Sequence, residues 1–263
     1  MNTVIDPGLI YLSQQHLNQW DECPLKFRYS FFDQVRLPFP PEQQDKLTLG
    51  SQFHLLLQQQ ELGLDITDLA ASHPKLIAWY QQFQQRPPQI ILGERHCETR
   101  RTFALEVNQH YHYFTVVYDL LVLGTDQAQI LDWKTHEKLI PKTKLQSSWQ
   151  TRLYFYGLVA TSHYEPEAIS MTYWFAGQGK STILNYSRAQ HEKTYRDLQQ
   201  KLAKMQHTNF PAQPKNVDSC SRCEFYYRCD AKQKHHLKSE NANHHFDLET
   251  MADFEAYPEV IIE

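Results

Sequence analysis

Three β-rich segments follow one another between residues 97 and 134, and the connections between them are short. Residues 97–106 partly alternate between apolar and polar side chains, residues 111–124 are rich in β-branched and aromatic residues, and residues 129–134 form a short strand-like run. Such composition is typical of strands, and the sequence GTDQ before the third segment is typical of a tight turn. The sequence therefore predicts three consecutive antiparallel strands.

Segments with helical spacing of apolar residues lie on both sides of these strands. The first contains Pro24, which removes a main-chain hydrogen bond and predicts two helical pieces or a kink. The predicted helices span residues 12–34, 47–61, 74–86, 146–162 and 190–207, and two further strands span 168–176 and 181–187. This order predicts an α/β fold, in which helices flank a mixed central sheet.

The length of the chain and its composition exclude several protein classes. A chain of 263 residues with 41% hydrophobic and 21% charged residues is long and apolar enough to bury a core. Apolar runs fall short of the roughly 18–20 residues that span a bilayer, and the N-terminus lacks the pattern of a signal peptide. We therefore expect a cytoplasmic protein without membrane contact, whose five cysteines are thiols or metal ligands rather than disulfides.

The distribution of charge divides the chain into two parts. Residues 239–263 contain seven acidic residues and neither lysine nor arginine, which leaves 26 basic and 23 acidic residues in 1–238. We predict one domain over residues 1–238 and an acidic, histidine-containing tail over residues 239–263. A mildly basic body is compatible with a groove that binds phosphate groups.

The sequence LDWKT at residues 131–135 places Asp132 and Lys134 two positions apart, and so on one face of the third strand. If GTDQ joins paired strands, Asp119 lies close to Asp132. Neighbouring carboxylates repel unless a cation lies between them, and a divalent metal ion is the usual solution. A metal-activated water beside a lysine suits hydrolysis of a phosphodiester. Spacing alone leaves open that these residues are paired surface charges.

Three further polar residues are candidates for the same site. Gln150 and Tyr154 are four positions apart and share one face of the helix that follows LDWKT. His54 lies on an otherwise apolar helix face, where a histidine is more often a satisfied core residue than a metal ligand.

Taken in order, these residues resemble the motifs of one nuclease superfamily. PD-(D/E)XK nucleases of the RecB-like branch carry a helix histidine, a glutamate on the first strand, an aspartate on the second, D-x-K-T on the third and a Q-x3-Y helix. The matching residues here are His54, Glu98, Asp119, Asp132-x-Lys134-Thr135 and Gln150-x3-Tyr154. The resemblance implies a restriction-endonuclease-like fold. It also implies cleavage of DNA, on single strands or at ends, with Mg²⁺ or Mn²⁺ as cofactor.

The resemblance also implies a role for each matching residue. The implied metal ligands are His54, Asp119, Asp132 and the main-chain carbonyl of Trp133. The implied catalytic residues are Glu98, Asp119, Asp132, Lys134, Gln150 and Tyr154, of which Gln150 and Tyr154 also contact the nucleic acid.

Three cysteines lie close together near the end of the predicted domain, in the pattern Cys220-x2-Cys223-x5-Cys229. A tetrahedral or cuboidal metal centre needs a fourth ligand. Cys23 is the best candidate, while Cys97 is more simply explained as a buried thiol on a strand. The residue types alone do not separate zinc from iron and sulfur, and a site without metal stays open.

One distant cysteine followed by this pattern resembles the iron–sulfur nucleases of the RecB-like branch, which include the AddB nuclease domain and the small CRISPR-associated nuclease. The resemblance implies a four-iron, four-sulfur cluster that fastens the first helix to residues 217–230. Arg222 and Arg228 of this segment are candidate contacts to nucleic acid. The histidines of the tail are candidate metal ligands, although a solvated tail is the simpler interpretation.

Three functions are compatible with these patterns. The first is a DNA nuclease of DNA repair, recombination or CRISPR-type processing, with a helicase or a CRISPR adaptation complex as partner. The second is a DNA-binding or scaffold subunit that keeps the fold and the cluster but cuts little. The third is a zinc-stabilised protein that never contacts nucleic acid. The chain lacks the glycine-rich phosphate loop of helicases, so unwinding would need another protein.

Overall fold

A computed structural model describes residues 10–35, 41–136, 138–206, 210–212, 214–215, 220 and 223–229. The helices are α1 Gln14–Glu22, α2 Pro24–Phe31, α3 Pro41–Glu61, α4 Thr67–Ala71, α5 Pro74–Gln85, α6 Lys142–Ser147, α7 Trp149–Ala160 and α8 Arg188–Gln206. The strands are β1 Ile10–Leu12, β2 Glu94–Val107, β3 His110–Leu123, β4 Ala128–Lys134, β5 Ile169–Phe175 and β6 Lys180–Asn185. Within this part of the chain, no helix combines the length and apolar character needed to cross a bilayer. The acidic tail lies outside the described residues, so its boundary stays a prediction.

The six strands form one mixed sheet. β2, β3 and β4 are antiparallel neighbours, as predicted, whereas β5 pairs with β4 in parallel and β6 pairs with β5 in antiparallel orientation. A parallel pair needs a crossover connection, and α6 and α7 supply it here. β1 pairs in parallel with residues 112–114 of β3, on the edge that β4 occupies farther along. The predicted α/β class with a mixed sheet between helices is confirmed.

Helices cover the sheet on two sides and create two apolar cores. The larger core joins the sheet to α1, α2, α6, α7 and α8, and the smaller core joins it to α3 and α5. β4 lies between both cores, and every one of its residues is buried, including Asp132 and Lys134. Burial on both faces explains why this strand is apolar outside its two charged positions.

Local signals explain where several helices begin. The predicted break at Pro24 is confirmed, because proline is the first residue of α2, where its missing N–H is not needed. The single helix predicted at 146–162 is divided at Ser148. Ser148 Oγ accepts a hydrogen bond from the main-chain N–H of Thr151 at 3.2 Å, and so caps the N-terminus of α7. The short elements β1, α4 and α6 were not predicted.

Candidate active site

The ends of β3 and β4 bring two carboxylates together. The last pair in their register joins Leu120 to Leu131, which places Asp119 opposite Asp132 one position farther on. At that point Asp119 Oδ2 accepts a hydrogen bond from the main-chain N–H of Trp133 at 2.7 Å. The side chain of Asp119 thus binds the backbone of β4 just beyond the last residue pair. The predicted proximity of the two acids follows from the strand register.

Asp119 also lies where the packing of β3 changes. Phe114, Val116 and Tyr118 belong to the larger core, whereas Leu120 belongs to the smaller one. Residues two apart on a regular strand share a face, so the alternation shifts by one position at Asp119. This shift coincides with the position where the carboxylate contacts both β4 and α3.

The first turns of α7 add two predicted residues to the site. Gln150 Nε2 donates hydrogen bonds to Asp132 Oδ2 at 3.0 Å and to the hydroxyl of Tyr154 at 3.2 Å. Its Oε1 accepts a hydrogen bond from Lys134 Nζ at 3.0 Å. Lys134 Nζ also lies 2.6 Å from Asp132 Oδ1. A single amide therefore contacts both the lysine and the aspartate of the D-x-K motif.

His54 and Glu98 approach Asp119 from α3 and β2. His54 Nδ1 lies 3.2 Å from Asp119 Oδ1, and one ligand atom from each of the three residues lies within 4.8 Å of the other two. Glu98 faces Asp119 in the register of β2 and β3 and has a φ of 47°. A left-handed backbone is unfavourable for a non-glycine residue within a strand and is often found at functional sites. We call His54, Glu98, Asp119, Asp132, Lys134, Gln150 and Tyr154 the β4 site.

The close approach of α3 depends on Gly50, which the sequence analysis did not single out. A Cβ atom at this position would lie 3.2 Å from Thr135 Oγ1, directly after the D-x-K motif. His54 follows Gly50 by one helical turn on the same face. The absence of a side chain at Gly50 therefore helps to bring the imidazole to Asp119. The only sequence signal was a glycine inside a segment that otherwise favours helix.

The charged groups of the β4 site form two pairs, Asp132 with Lys134 and Asp119 with His54. Burial raises the pKa of Asp132 to about 6; the ammonium of Lys134 opposes this rise, and Asp119 adds to it. Burial acts in the same direction on Asp119, but His54 and the Trp133 N–H hold the pKa of Asp119 below its ordinary value. Burial acts to lower the pKa of His54, yet the Asp119 carboxylate raises it to about 9. A metal ion at His54 would therefore have to displace a proton.

The donor atoms of the β4 site fit a divalent metal ion. Carboxylate oxygens are preferred by Mg²⁺ and Mn²⁺, and Glu98, Asp119 and Asp132 supply them beside His54. Asp132 Oδ1 is buried and accepts no well-oriented hydrogen bond from the described residues, because the close Lys134 ammonium is poorly aligned with it. The indole of Trp133 packs into the smaller core, and its carbonyl stays a predicted ligand.

The cysteine region consists of Cys23, the adjoining ends of α1 and α2, and residues 220 and 223–229. Lys26 Nζ lies 2.8 Å from Glu22 and 3.1 Å from Glu224, and so connects α2 to the C-terminal segment. Contact between the first helices and residues near the C-terminus agrees with the predicted fastening. In the described part of the chain, however, no three cysteine sulfurs lie within 4.8 Å of one another. The described geometry therefore does not support the predicted four-iron, four-sulfur cluster.

The thiols differ in their surroundings. Burial raises the pKa of Cys220, and the nearby Cys23 and Cys229 raise it further. Burial also raises the pKa of Cys223 to about 12. Cys97 packs against the smaller core on β2, in agreement with a buried thiol. The raised pKa values of Cys220 and Cys223 favour their protonated form, so a metal ion bound to them would have to displace those protons.

The predicted nucleic-acid contacts outside the β4 site are only partly described. The guanidinium of Arg228 lies 5.6 Å from the centre of the Tyr29 ring, and the hydroxyl of Tyr29 donates to the carbonyl of Arg228 at 3.2 Å. Arg228 therefore takes part in the contact between α2 and the C-terminal segment. Arg222 and the histidines of the tail lie outside the described residues.

Two solved structures are similar to this chain at low sequence identity, and one family model matches it. Among solved structures, SSO0001 has a TM-score of 0.41 and 13% identity, covering 84% of this chain and 86% of that chain. A candidate exonuclease from Eubacterium rectale has a TM-score of 0.47 and 7% identity, covering 83% and 87%. No curated protein matches the chain. The family model of the PD-(D/E)XK nuclease superfamily matches residues 11–230, and the chain therefore belongs to that superfamily.

Proposed function

We propose that this protein is a metal-dependent DNA nuclease of the RecB-like branch, which hydrolyses phosphodiester bonds on single strands or at strand ends. The observation that carries the proposal is the β4 site, in which three acids, a histidine and a lysine converge on the end of one buried strand. Charged groups are rarely gathered in a core unless they serve a function.

The residues of the site divide into ligands and positioning groups. His54, Glu98, Asp119 and Asp132 would hold Mg²⁺ or Mn²⁺, and the bound ion lowers the pKa of a water and neutralises charge on the scissile phosphate. Lys134 provides a compact positive charge for the phosphate oxygens or for the attacking water. Gln150 holds Lys134 and Asp132 through the two ends of its amide, and so fixes the direction of both side chains.

A cleavage assay tests this function. Labelled single-stranded DNA, duplex DNA and single-stranded RNA of one sequence are incubated with Mn²⁺ or Mg²⁺ and compared between wild type, Asp132→Ala and Lys134→Met. Asp126→Ala, an exposed acid in the turn before β4, is the matched control. We expect cutting by wild type and Asp126→Ala only, and faster cutting of single-stranded DNA than of RNA.

The other outcomes are equally informative. Equal cutting by all variants would place the activity outside the β4 site and contradict the proposal. Binding of DNA without cutting by wild type would favour a scaffold subunit. A role in repair, recombination or CRISPR-type processing, beside a helicase or an adaptation complex, rests on the resemblance. Co-purification of such a partner with the tagged chain would support that role, and its absence would count against it.

We also propose that Cys23, Cys220, Cys223 and Cys229 bind a four-iron, four-sulfur cluster. Two points support the proposal: α2 contacts the C-terminal segment through Lys26 and Glu224, and Cys23 and Cys229 both raise the pKa of Cys220. A single zinc ion at about 2.3 Å from each thiolate needs sulfurs about 3.8 Å apart, whereas a cluster holds its thiolates farther from one another.

Elemental analysis after anaerobic purification tests the cluster. We expect about four iron atoms and four sulfides per chain in wild type and in the control variant Cys97→Ser, and a loss of both in Cys23→Ser. Zinc instead of iron would favour the zinc-stabilised alternative. The absence of any metal would show that the cysteines are thiols.

A further inference from the structure

One face of the β2–β3 hairpin is packed and the other is open to solvent. On the packed face, Phe103, Phe114 and Val116 belong to the larger core under α7. On the opposite face, the side chains of Arg100 and Thr102 are exposed. The smaller core, formed with α3 and α5, takes its residues of β3 only from position 120 onward. The open face is therefore flanked, rather than covered, by the helices that supply the smaller core.

The open face leads along the strands to the two acids of the β4 site. The register of β2 and β3 is constant, so the pair Glu98 and Asp119 is followed by Arg100 opposite Val117 and by Thr102 opposite Thr115. The hydroxyls of the two threonines lie 3.1 Å apart. Side chains two positions apart share a face, so the pairs Arg100–Val117 and Thr102–Thr115 form one row, which meets the acids at Asp119, where the alternation of β3 shifts by one position.

The row continues to a pair of tyrosines. Tyr113 lies next along β3, and Tyr11 of β1 pairs with it in register. Their ring centres are 5.5 Å apart with an interplanar angle of 34°, and Tyr11 is 56% exposed. Tyr113 lies six residues before Asp119, which corresponds to about 20 Å at about 3.3 Å per residue.

The chemistry of the row changes at each end. Arg100, between the acids and the tyrosines, forms no ion pair with any described residue. Beyond the tyrosines, Glu106 lies opposite Tyr111 in the register of β2 and β3. A phosphate is attracted to Arg100 and repelled by Glu106. The stretch of the hairpin face that favours a phosphate backbone therefore ends near Tyr113.

We propose that this hairpin face, defined by Tyr11, Arg100, Thr102, Tyr113 and Thr115, binds the single strand whose phosphodiester lies in the β4 site. The inference rests on the proposed function and names its substrate-binding surface. The tyrosine rings stack bases, while Arg100 and the threonine hydroxyls hold phosphates between those bases and the acids. A duplex hides the faces of its bases, so the surface selects unpaired strands. Single-stranded DNA and single-stranded RNA both offer these unpaired bases and phosphates, so both are candidate ligands of this face.

The length of the row predicts a dependence on substrate length. At about 3.4 Å per stacked nucleotide, about 20 Å corresponds to about six nucleotides, and an extended strand needs fewer. Affinity should therefore rise with strand length up to about six nucleotides on one side of the cleavage point, and then change little. The affinity of strands too short to reach Tyr113 should not depend on the two tyrosines.

The experiment measures binding and chemistry separately. Fluorescence anisotropy gives the Kd of labelled DNA and RNA single strands of four to sixteen nucleotides, and of a duplex, with EDTA present so that nothing is cut. Hydrolysis of bis(p-nitrophenyl) phosphate with Mn²⁺ reports the β4 site without any strand contact. The variants are Tyr11→Thr with Tyr113→Thr, which keep strand-forming residues, and Arg100→Gln. Tyr195→Leu, a partly exposed tyrosine on α8, is the matched control, and thermal unfolding confirms folding.

We expect the tyrosine double variant to raise the Kd of twelve-nucleotide strands about tenfold and to abolish the length dependence, with hydrolysis of the small diester unchanged. Comparison of DNA with RNA shows which strand is preferred. If the Kd values of the double variant and of Arg100→Gln are unchanged while the small diester is still hydrolysed, the proposed binding role of the hairpin face is wrong and the nuclease function stands. Failure of wild type to hydrolyse any diester would instead overturn the proposed nuclease function.

Discussion

The β4 site and the cysteine region both collect potential metal ligands, but only the β4 site is assembled without a metal. At the β4 site, contacts of 2.6–3.2 Å join His54 to Asp119, Asp119 to the backbone of β4, and Asp132 to Lys134 and Gln150. In the cysteine region, charges and aromatic rings connect α2 to the C-terminal segment, while the described thiols stay too far apart for a single ion.

The difference shows how secondary structure prepares a site. The β4 side chains project from paired strands and from helices packed on them, so their positions are fixed by contacts that do not involve a ligand. The cysteines come from a helix boundary and from a segment whose described residues include the short 3-10 turn Tyr226–Arg228. Such a site reaches its final geometry only when the ligand itself binds the side chains together.

The largest expected effect separates catalysis from stability at the β4 site. Replacing Asp132 with asparagine together with Lys134→Met should lower the cleavage rate at least about 100-fold, because a metal ligand and the lysine are both lost. The free energy of unfolding should stay unchanged or rise, because the neutral pair avoids the desolvation of a buried ion pair. Initial cleavage rates and urea unfolding at pH 7 measure both quantities. A marked loss of stability would show that this pair supports the fold.

In the cysteine region, a substitution should lower stability and leave catalysis unchanged. Lys26→Met leaves Glu22 and Glu224 without their shared cation and should lower the free energy of unfolding by about 1–2 kcal/mol, a value reduced by the partial exposure of both acids. The small-diester hydrolysis rate should not change. Lys193→Met, which removes a more exposed ion pair on α8, is the control and should cost under about 0.5 kcal/mol. Equal losses of unfolding free energy in both variants would mean that Lys26 stabilises the fold no more than an exposed ion pair does.

A smaller effect on cleavage is expected from a substitution at Gly50, which lies beside the β4 site. Gly50→Ala adds a Cβ atom 3.2 Å from Thr135 Oγ1, so α3 or the end of β4 must move by a few tenths of an ångström. We expect cleavage to fall about three- to tenfold, while the gain in helix propensity, up to about 1 kcal/mol, preserves stability. Ser51→Ala on the same helix is the control. Unchanged cleavage would mean that His54 tolerates this displacement.

The smallest effect concerns His16 on α1. Burial lowers the pKa of His16 to about 4, and its Nδ1 accepts a hydrogen bond from the Ser13 N–H at 3.0 Å. The folded pKa lies below the unfolded value near 6.5, so this contribution is complete above pH 6.5 and is lost as the pH falls toward 4. His16→Gln keeps an acceptor that does not titrate. Between pH 7 and pH 5.5, wild type should lose about 1 kcal/mol more than the variant in urea unfolding.

The sequence was sufficient for the residues of the β4 site because each lies on a regular element. Alternation on β3 and β4 and the four-residue spacing of Gln150 and Tyr154 determine which side chains share a face. The turn GTDQ sets the register that brings Asp119 to Asp132. The convergence of Asp119, Asp132 and Lys134 therefore follows from short-range rules, whereas the resemblance was needed to place His54 and Glu98 at the same site.

Other features depend on contacts that no local pattern reveals. The left-handed backbone of Glu98 is imposed by its surroundings, and a glutamate in a strand carries no sign of it. β1 is three residues long and exists only because β3 extends beyond β4. The arrangement of the cysteines depends on the meeting of segments about two hundred residues apart, which spacing cannot specify. Gly50 matters only because Thr135 lies opposite it.

The continuous β2–β4 meander has a consequence for how the chain folds. Its strands are neighbours in sequence and form rapidly, whereas the parallel pairing of β4 with β5 waits for the crossover through α6 and α7. Glu98, Asp119 and Asp132 therefore approach one another before Gln150 arrives. Their mutual repulsion slows this early step and is screened by salt, so we expect refolding to accelerate with ionic strength. The acids that would bind a metal in the native protein thus set a kinetic barrier on the way to it.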